Sequence, residues 1–463
     1  MQDEGKNGEW SSMKQMDTPL ISVIMPSYNV RKYIRTCVES VLAQELHDME
    51  ILIIDAGSED GTLDILQEYA DKDDRISLFH SEKKSYGYQV NMGIKMARGK
   101  YIGIVETDDF IEPDMYRTLY EWAQESDADY VRGLGKFYRE IAERMISERP
   151  IRCPIKDDSM FGAVINPHEH PEFVYSDRFL WLGLYRSAFV KEIHLNETPG
   201  AAYQDIGFML QVHSKAEKAV YVNRYIYHYR LDNTASSAYD ERAFRFLVQE
   251  CSYKEIFLKD LPDVWRKYSA LELLDQTLTR FRHMAFSQHY WGAASEDIEY
   301  IRTYLEELYQ KNVIWMEDME SGNWAGLLLL LESPESLYAA CRFEYLANTY
   351  DVRLLREKIE KNEVIIFGGG KRGRYCHMLL TAQGIGRIRL FCDNDSDLQG
   401  IKLQGLMVSS VPEAFAEYPE AVYVVPDGKF AGEMKRQLSA CGIDEWKIIS
   451  FGIAENDSLL RKL

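Results

Sequence analysis

Between residues 20 and 130, short apolar runs alternate with helical patterns, and three of the runs end directly in a polar cluster. Leu20–Met25, Ile51–Ile54, Ile76–Phe79 and Tyr101–Val105 read as strands. Tyr33, Ile34, Cys37, Val38, Val41 and Leu42 recur with a period near 3.6 and mark a helix between the first two. Leu63, Leu66, Tyr69 and Ala70 mark the next helix. Val90, Ile94 and Ala97 mark a third, with Gly99 placed to cap its C-terminus. This alternation predicts an α/β fold with a mostly parallel sheet and helices on both faces.

The clusters are Pro26-Ser27-Tyr28-Asn29, Asp55-Ala56-Gly57-Ser58 and Glu106-Thr107-Asp108-Asp109. In an open parallel sheet the carboxyl ends of the strands share one edge, and ligands bind in the crevice there. Tyr28 can stack on a base, and Asp55 can accept from a ring N–H of uracil or guanine. Asp108 and Asp109 offer hard oxygen ligands suited to Mg²⁺ or Mn²⁺. Such a metal neutralises a diphosphate leaving group. Each cluster alone also has a plainer reading. Asp55 can cap the helix that follows it, Tyr28 can be an ordinary strand-end aromatic, and Asp108-Asp109 can cap a helix near Asp114.

Charge narrows the partners. The 463 residues carry 54 Lys and Arg against 74 Asp and Glu, a net charge of −20 that opposes binding to nucleic acid. With 46% hydrophobic and 12% aromatic residues, the chain can bury a sizeable core. Its seven cysteines fall at no zinc-site or redox spacing and read as reduced thiols. The N-terminal stretch lacks an apolar signal region, and the run Trp324–Leu331 is too short to span a membrane. A soluble cytoplasmic protein is expected, with peripheral association at the inner membrane face and a homo-oligomer as open options.

Residues 19–130 resemble the nucleotide-binding half of the family 2 glycosyltransferases, which have the GT-A fold. The resemblance is carried by Ile21-Ser22-Val23-Ile24-Met25-Pro26-Ser27-Tyr28-Asn29 and by Ile53-Ile54-Asp55-Ala56-Gly57-Ser58-Glu59-Asp60-Gly61-Thr62. It continues through Asn91-Met92-Gly93-Ile94, Ala97-Arg98-Gly99-Lys100-Tyr101-Ile102 and Glu106-Thr107-Asp108-Asp109. Ala56 stands where the family often has a second acid, and Glu106 where its D-x-D run more often begins with Asp. The resemblance implies a nucleoside-diphosphate donor, UDP-sugar first among them. Pro26, Ser27, Tyr28, Asn29, Asp55, Lys84 and Asp108 would bind it, and Asp108 and Asp109 would hold a divalent metal.

A second signature lies downstream. Trp181-Leu182-Gly183-Leu184-Tyr185-Arg186 and Gln204-Asp205-Ile206-Gly207-Phe208 resemble the family's tryptophan-tyrosine-arginine stretch and its Glu-Asp pair. Asp205 takes the place of the catalytic base that an inverting transfer needs, and Gln204 replaces the Glu. A helix N-cap is the plainer reading of Asp205. Tyr225-Ile226-Tyr227-His228-Tyr229-Arg230 with Ser236-Ser237 resembles the end of the catalytic domain. There His228 is a candidate metal ligand or a packed core residue, and Arg230 can meet a phosphate. Lys83 can reach the diphosphate or stay solvated, as can Lys84.

A second α/β alternation begins near residue 360. Gly368-Gly369-Gly370-Lys371-Arg372-Gly373 fits GxGxxG after the strand Glu363–Phe367 and before a helix. Gly368, Gly370 and Gly373 would cradle a phosphate, with Asp393 placed for a ribose. The stretch Phe391-Cys392-Asp393-Asn394-Asp395 with Gly400 resembles the small Rossmann-like domain of sugar-modifying proteins. NAD or another nucleotide there stands beside a purely structural role.

The expected organisation is a disordered tail over 1–18, a GT-A domain over 19–238, a helical region over 239–355 and a Rossmann-like domain over 360–463. The function expected is a metal-dependent inverting glycosyltransferase with a saccharide or lipid-linked acceptor, in cell-surface polysaccharide assembly. An NAD-dependent oxidoreductase or epimerase led by the C-terminal loop is a second reading. A non-catalytic nucleotide-sugar binding protein is a third.

Overall fold

The computed structural model describes residues 18–142, 145–231, 233, 242–287, 294–338, 340–341, 359, 362–382, 387–426 and 428–452. Residues 1–17 of the tail expected over 1–18 and the pair Ser236-Ser237 lie outside these. Two compact units emerge: residues 1–273 with 304–318, and residues 274–303 with 319–463.

The first unit opens with β1 (Ile21–Ser27), α1 (Ile34–Leu42), β2 (Met49–Asp55), α2 (Thr62–Ala70), β3 (Ile76–His80), α3 (Tyr86–Met96) and β4 (Tyr101–Ile104). After β5 (Phe110–Ile111) and α4 (Met115–Ser126) come β6 (Tyr130–Ala142), β7 (Met145–Pro150), β8 (Val164–Ile165), α5 (Phe173–Ser176), β9 (Gly183–Arg186) and α6 (Ser187–Val190). Next are α7 (Gln204–Lys215), β10 (Ala219–Arg230) and α8 (Ala243–Leu258). The helix α9 (Asp263–Ser287) contributes residues to both units, and α10 (Ser295–Gln310) and α11 (Ser321–Glu332) follow.

The sheet runs β3-β2-β1-β4-β9-β6-β10-β5, with β7 on β6 and β8 on β10. Strands β1 to β4 are parallel, β9 lies antiparallel between β4 and β6, and β10 runs parallel to β6. The parallel run β1 to β4 is what the alternation implied, and the antiparallel β9 makes the whole sheet mixed. Every residue of β1 and β2 is buried, as the helices on both faces require. Helix α1 buries Ile34, Cys37, Val38 and Val41, and each such apolar side chain contributes about 1.5–3 kcal/mol relative to exposure.

Register explains why the polar clusters meet. Ser27 pairs with Asp55, so β1 and β2 end level, while β4 ends at Ile104 opposite Ile24 and the chain after it runs on along β1 toward the same edge. The Thr107 hydroxyl then donates to the Pro26 carbonyl at 2.8 Å, stitching the first and third clusters together. Gly99 has a different part from the cap expected of it. Helix α3 closes at Ala97, and a Cβ on Gly99 would meet the Ser22 nitrogen at 2.5 Å. Close passage against β1, and not a helix end, is what requires glycine there.

Within the second unit, β11 (Glu363–Phe367), α12 (Lys371–Ala382), β12 (Arg387–Cys392), β13 (Lys402–Leu403) and β14 (Leu406–Ser409) precede α13 (Val411–Glu417), β15 (Val422–Pro426), α14 (Ala431–Ala440) and β16 (Ile448–Phe451). Its sheet order is β13-β14-β12-β11-β15-β16, parallel except for β13. The strand order reverses at β11, so the glycine loop after β11 sits at the switch point.

Candidate active site

One carboxylate oxygen from each of Glu106, Asp108 and Asp109 falls within 4.8 Å of the others. The turn is braced from β10. Tyr227 donates its hydroxyl to Asp109 Oδ2 at 2.9 Å and accepts the Glu106 N–H at 3.0 Å. The Arg230 N–H donates to Asp109 Oδ1 at 2.7 Å, and its Nε–H to the Asp108 carbonyl at 3.0 Å. Asn233 donates to Asp108 Oδ2 at 2.8 Å. Neither Asp108 nor Asp109 caps the helix near Asp114, because their oxygens answer to these groups.

Burial pushes the carboxyls of Glu106 and Asp109 above the usual range, and repulsion from Asp108 adds to it. Asp109 is enclosed, whereas Glu106 and Asp108 are part-exposed. Three carboxylates with hard oxygen donors fit Mg²⁺ or Mn²⁺. Glu106, atypical in the sequence, belongs to this group.

His228 does not join it, which corrects its expected part as a ligand beside Asp108 and Asp109. Its Nε2 is 2.8 Å from Glu112, its Nδ1 is 3.2 Å from Glu148, and its ring stacks on Phe110 at 4.4 Å. The reason is strand alternation. Tyr227 and Tyr229 face the carboxylates, so His228 between them points to the other face.

The expected donor-binding residues collect at the ends of β1 and β2. Asp55 is fully buried and accepts from the Gly57 N–H at 2.9 Å, the Ser58 N–H at 2.7 Å and the Ser58 hydroxyl at 2.6 Å. It holds its own loop in shape. Asn29, at φ 52°, accepts the Glu59 N–H at 2.9 Å and donates its own to Ser58 Oγ at 2.8 Å, joining the first two clusters. Ser27 is buried beside Pro26, and its Oγ meets no hydrogen-bond partner among the described residues. Tyr28 is 43% exposed, with the Lys84 ammonium 3.0 Å from its hydroxyl and 4.8 Å from its ring centre. Lys83 instead pairs with Glu197 at 2.9 Å.

Asp205 lies in the first turn of α7 and is not its cap. The cap position is Tyr203, at φ 69°. Burial raises the Asp205 carboxyl to about 7; Arg178 opposes the rise and Glu272 adds to it. A carboxylate so poised suits general-base work near neutral pH. Trp181 stacks on Tyr227 at 4.1 Å and on Tyr229 at 5.3 Å, behind the carboxylates. Tyr185 donates to the Leu180 carbonyl at 2.6 Å, and Arg186 pairs with Asp127 at 2.8 Å, so both are structural.

Residues without a sequence signal also take part. Tyr86, Tyr227, Tyr229 and Arg178 act on Glu106, Asp109 or Asp205. Only fold contacts between distant segments could reveal them.

In the second unit, Gly368 has φ 108°, and a Cβ on Gly373 would lie 1.7 Å from the Gly368 carbonyl oxygen. A Cβ on Gly370 would meet open space. Asp393, expected to bind a ribose, accepts the Gly369 N–H at 2.6 Å and the Asp395 N–H at 2.9 Å. It thus braces the glycine loop.

Comparison with known proteins adds an independent line. The description "Glycosyl transferase family 2" matches residues 22–163. Glycosyltransferase GlyG of Streptococcus pneumoniae is 29% identical over 276 residues, covering 58% of this chain and 87% of that one. Glycosyltransferase YibD of Escherichia coli, called uncharacterized, is 30% identical over 243 residues, covering 52% of this chain and 69% of its own length. EpsJ of Bacillus subtilis, likewise an uncharacterized glycosyltransferase, is 32% identical over 216 residues; the chain spans 46% of itself and 61% of EpsJ in that match.

Proposed function

The chain belongs to glycosyl transferase family 2 and is a glycosyltransferase, and from that premise we propose a metal-dependent inverting transfer from a UDP-sugar, with Asp205 as the base. The observation that carries the proposal is the group of three carboxylates, Glu106, Asp108 and Asp109, with oxygens within 4.8 Å of one another; burial, then Asp108, then Asp205 raise the Glu106 carboxyl.

Residues 19–238 carry the chemistry in this reading. Asp108, with Glu106 and Asp109, would hold Mg²⁺ or Mn²⁺, which when bound supplies charge neutralisation for the departing diphosphate. Tyr28 offers a ring face for the base. Asp55 keeps the adjoining loop fixed and retains one acceptor position of its four for a ring N–H. Lys84, at the Tyr28 hydroxyl, is within reach of the phosphates. Asp205 takes the proton of the acceptor hydroxyl as its oxygen attacks the anomeric carbon. The acceptor is a saccharide or a lipid-linked glycan of surface-polysaccharide assembly.

The oxidoreductase reading leaves all four carboxylates unused. No helix of the described residues is long and apolar enough to cross a membrane. The test is a screen of nucleotide sugars for nucleotide release, with Mn²⁺ and with a chelator. Release that needs Mn²⁺ supports the proposal; release unaffected by chelation removes the metal from it.

A further inference from the structure

Tyr86 is given no substrate contact above, yet it acts on both Glu106 and Asp205. It is the first residue of α3, beside Ser85, whose hydroxyl caps the helix by accepting the Tyr88 N–H at 3.3 Å. The next residue, Gly87, donates its N–H to Gln204 Oε1 at 3.0 Å, and Gln204 adjoins Asp205. A Cβ on Gly87 would lie 2.0 Å from the Asn196 carbonyl oxygen, so this approach admits glycine alone. Tyr86 and Asp205 therefore flank a single hydrogen bond between the first turns of α3 and α7.

The Tyr86 ring is part-exposed, but its hydroxyl oxygen is enclosed and meets no partner at hydrogen-bond distance among the described residues, the Glu106 carboxylate being the acceptor it faces at longer range. Glu106 and Asp205 both act electrostatically on that hydroxyl, Glu106 more strongly. Leaving an enclosed hydroxyl unpaired is costly, and folds rarely retain one without use. Nothing in the packing demands it, since phenylalanine would fill the same space.

We infer that Tyr86 is a substrate-contacting residue whose hydroxyl donates to a hydroxyl of the transferred sugar. The inference rests on the function proposed for this site. In that reading the sugar ring lies between the carboxylates that face the diphosphate and the base that faces the acceptor. Tyr86 carries the hydroxyl on which both groups act. A donor aimed at one sugar hydroxyl also discriminates epimers, because the wrong epimer leaves the buried O–H unpaired.

The test is Tyr86→Phe in the full chain, which keeps the ring and removes only the donor. UDP with Mn²⁺ is titrated by calorimetry, and nucleotide release is measured from UDP-glucose, UDP-galactose and UDP-N-acetylglucosamine. The expected result is unchanged UDP affinity and a roughly tenfold loss of kcat/KM on the best of the three donors. The preference between the glucose and galactose epimers should flatten with it. Unchanged kcat/KM and preference would overturn the contact, as would a matching loss of UDP affinity and thermal stability, which marks a structural role. Wild-type chain that fails to bind UDP with Mn²⁺ would overturn the underlying reading, and is told apart by that titration.

Discussion

The N–H of Gly87 donates to Gln204 Oε1 at 3.0 Å, while Gln204 Nε2 donates to the carbonyls of Asn196 at 2.6 Å and Thr198 at 3.2 Å. Gln204 is thus a strut between the helix that follows the third strand and the helix that carries Asp205. It accepts on one side and donates on the other, and only an amide does both. The Gln204→Glu variant, although it restores the family's acid, would leave two buried carbonyls facing a carboxylate. It should lower stability by about 1–3 kcal/mol, measured by denaturant unfolding. Gln204→Glu with full stability would show that the strut is not needed.

Arg178 tempers the pKa of the proposed base, Asp205. The Asp205 carboxyl is raised to about 7 chiefly by burial, against the pull of Arg178. The base form is lost as pH falls through that value, so kcat/KM should rise with pH to a plateau on the alkaline side. Arg178→Met removes the opposing charge, so the midpoint should move to higher pH while the plateau survives. A pH–rate profile of both proteins reads this directly.

His213 should give the fold an acid-sensitive limb. It is fully buried, with Nδ1 2.9 Å from the Tyr130 hydroxyl and Nε2 3.2 Å from the Asp177 carbonyl oxygen. Burial lowers its pKa from 6.5 to about 4 despite Asp177, which pairs with the buried Arg132. Between these values the unfolded chain takes up a proton that the folded chain refuses. Stability from this group is therefore intact above pH 6.5 and falls as pH drops toward about 4. The loss is at most about 3 kcal/mol. His213→Gln should flatten that limb in unfolding curves measured across the range.

Gly373→Ala places a methyl against the Gly368 carbonyl, 1.7 Å from its oxygen. The loop cannot yield without losing the Gly369–Asp393 bond. A cost of about 3 kcal/mol is expected. Faster amide exchange across 363–451 should report it, and Gly370→Ala, whose Cβ meets open space, should be tolerated.

Sequence alone was enough for what period and order encode. The strands and helices of residues 20–130 lie close to where their apolar spacing put them, and the three clusters meet because β1, β2 and β4 run parallel toward one edge of the sheet. Residues 131–238 showed signature stretches but not the strands that hold them. Their long strands β6 and β10 pair across some 90 residues of chain, and their buried network of Arg132, Asp177, Tyr130 and Tyr221 shows no local signature. His228 was misplaced because its neighbours Tyr227 and Tyr229 take the inward positions of the strand. Glu106 was undervalued because a motif ranks residue types, while the metal-capable group depends on where oxygens point. Gln204 looked like a lost acid, and its role became visible only with its three partners.

The central claim is that Asp205 removes the acceptor proton opposite a metal-bound diphosphate. Turnover of Asp205→Asn, measured with Mn²⁺ beside UDP affinity, tests it most directly. The account predicts a loss of about 10²–10⁴ in kcat with UDP affinity retained. Full turnover in Asp205→Asn would contradict it.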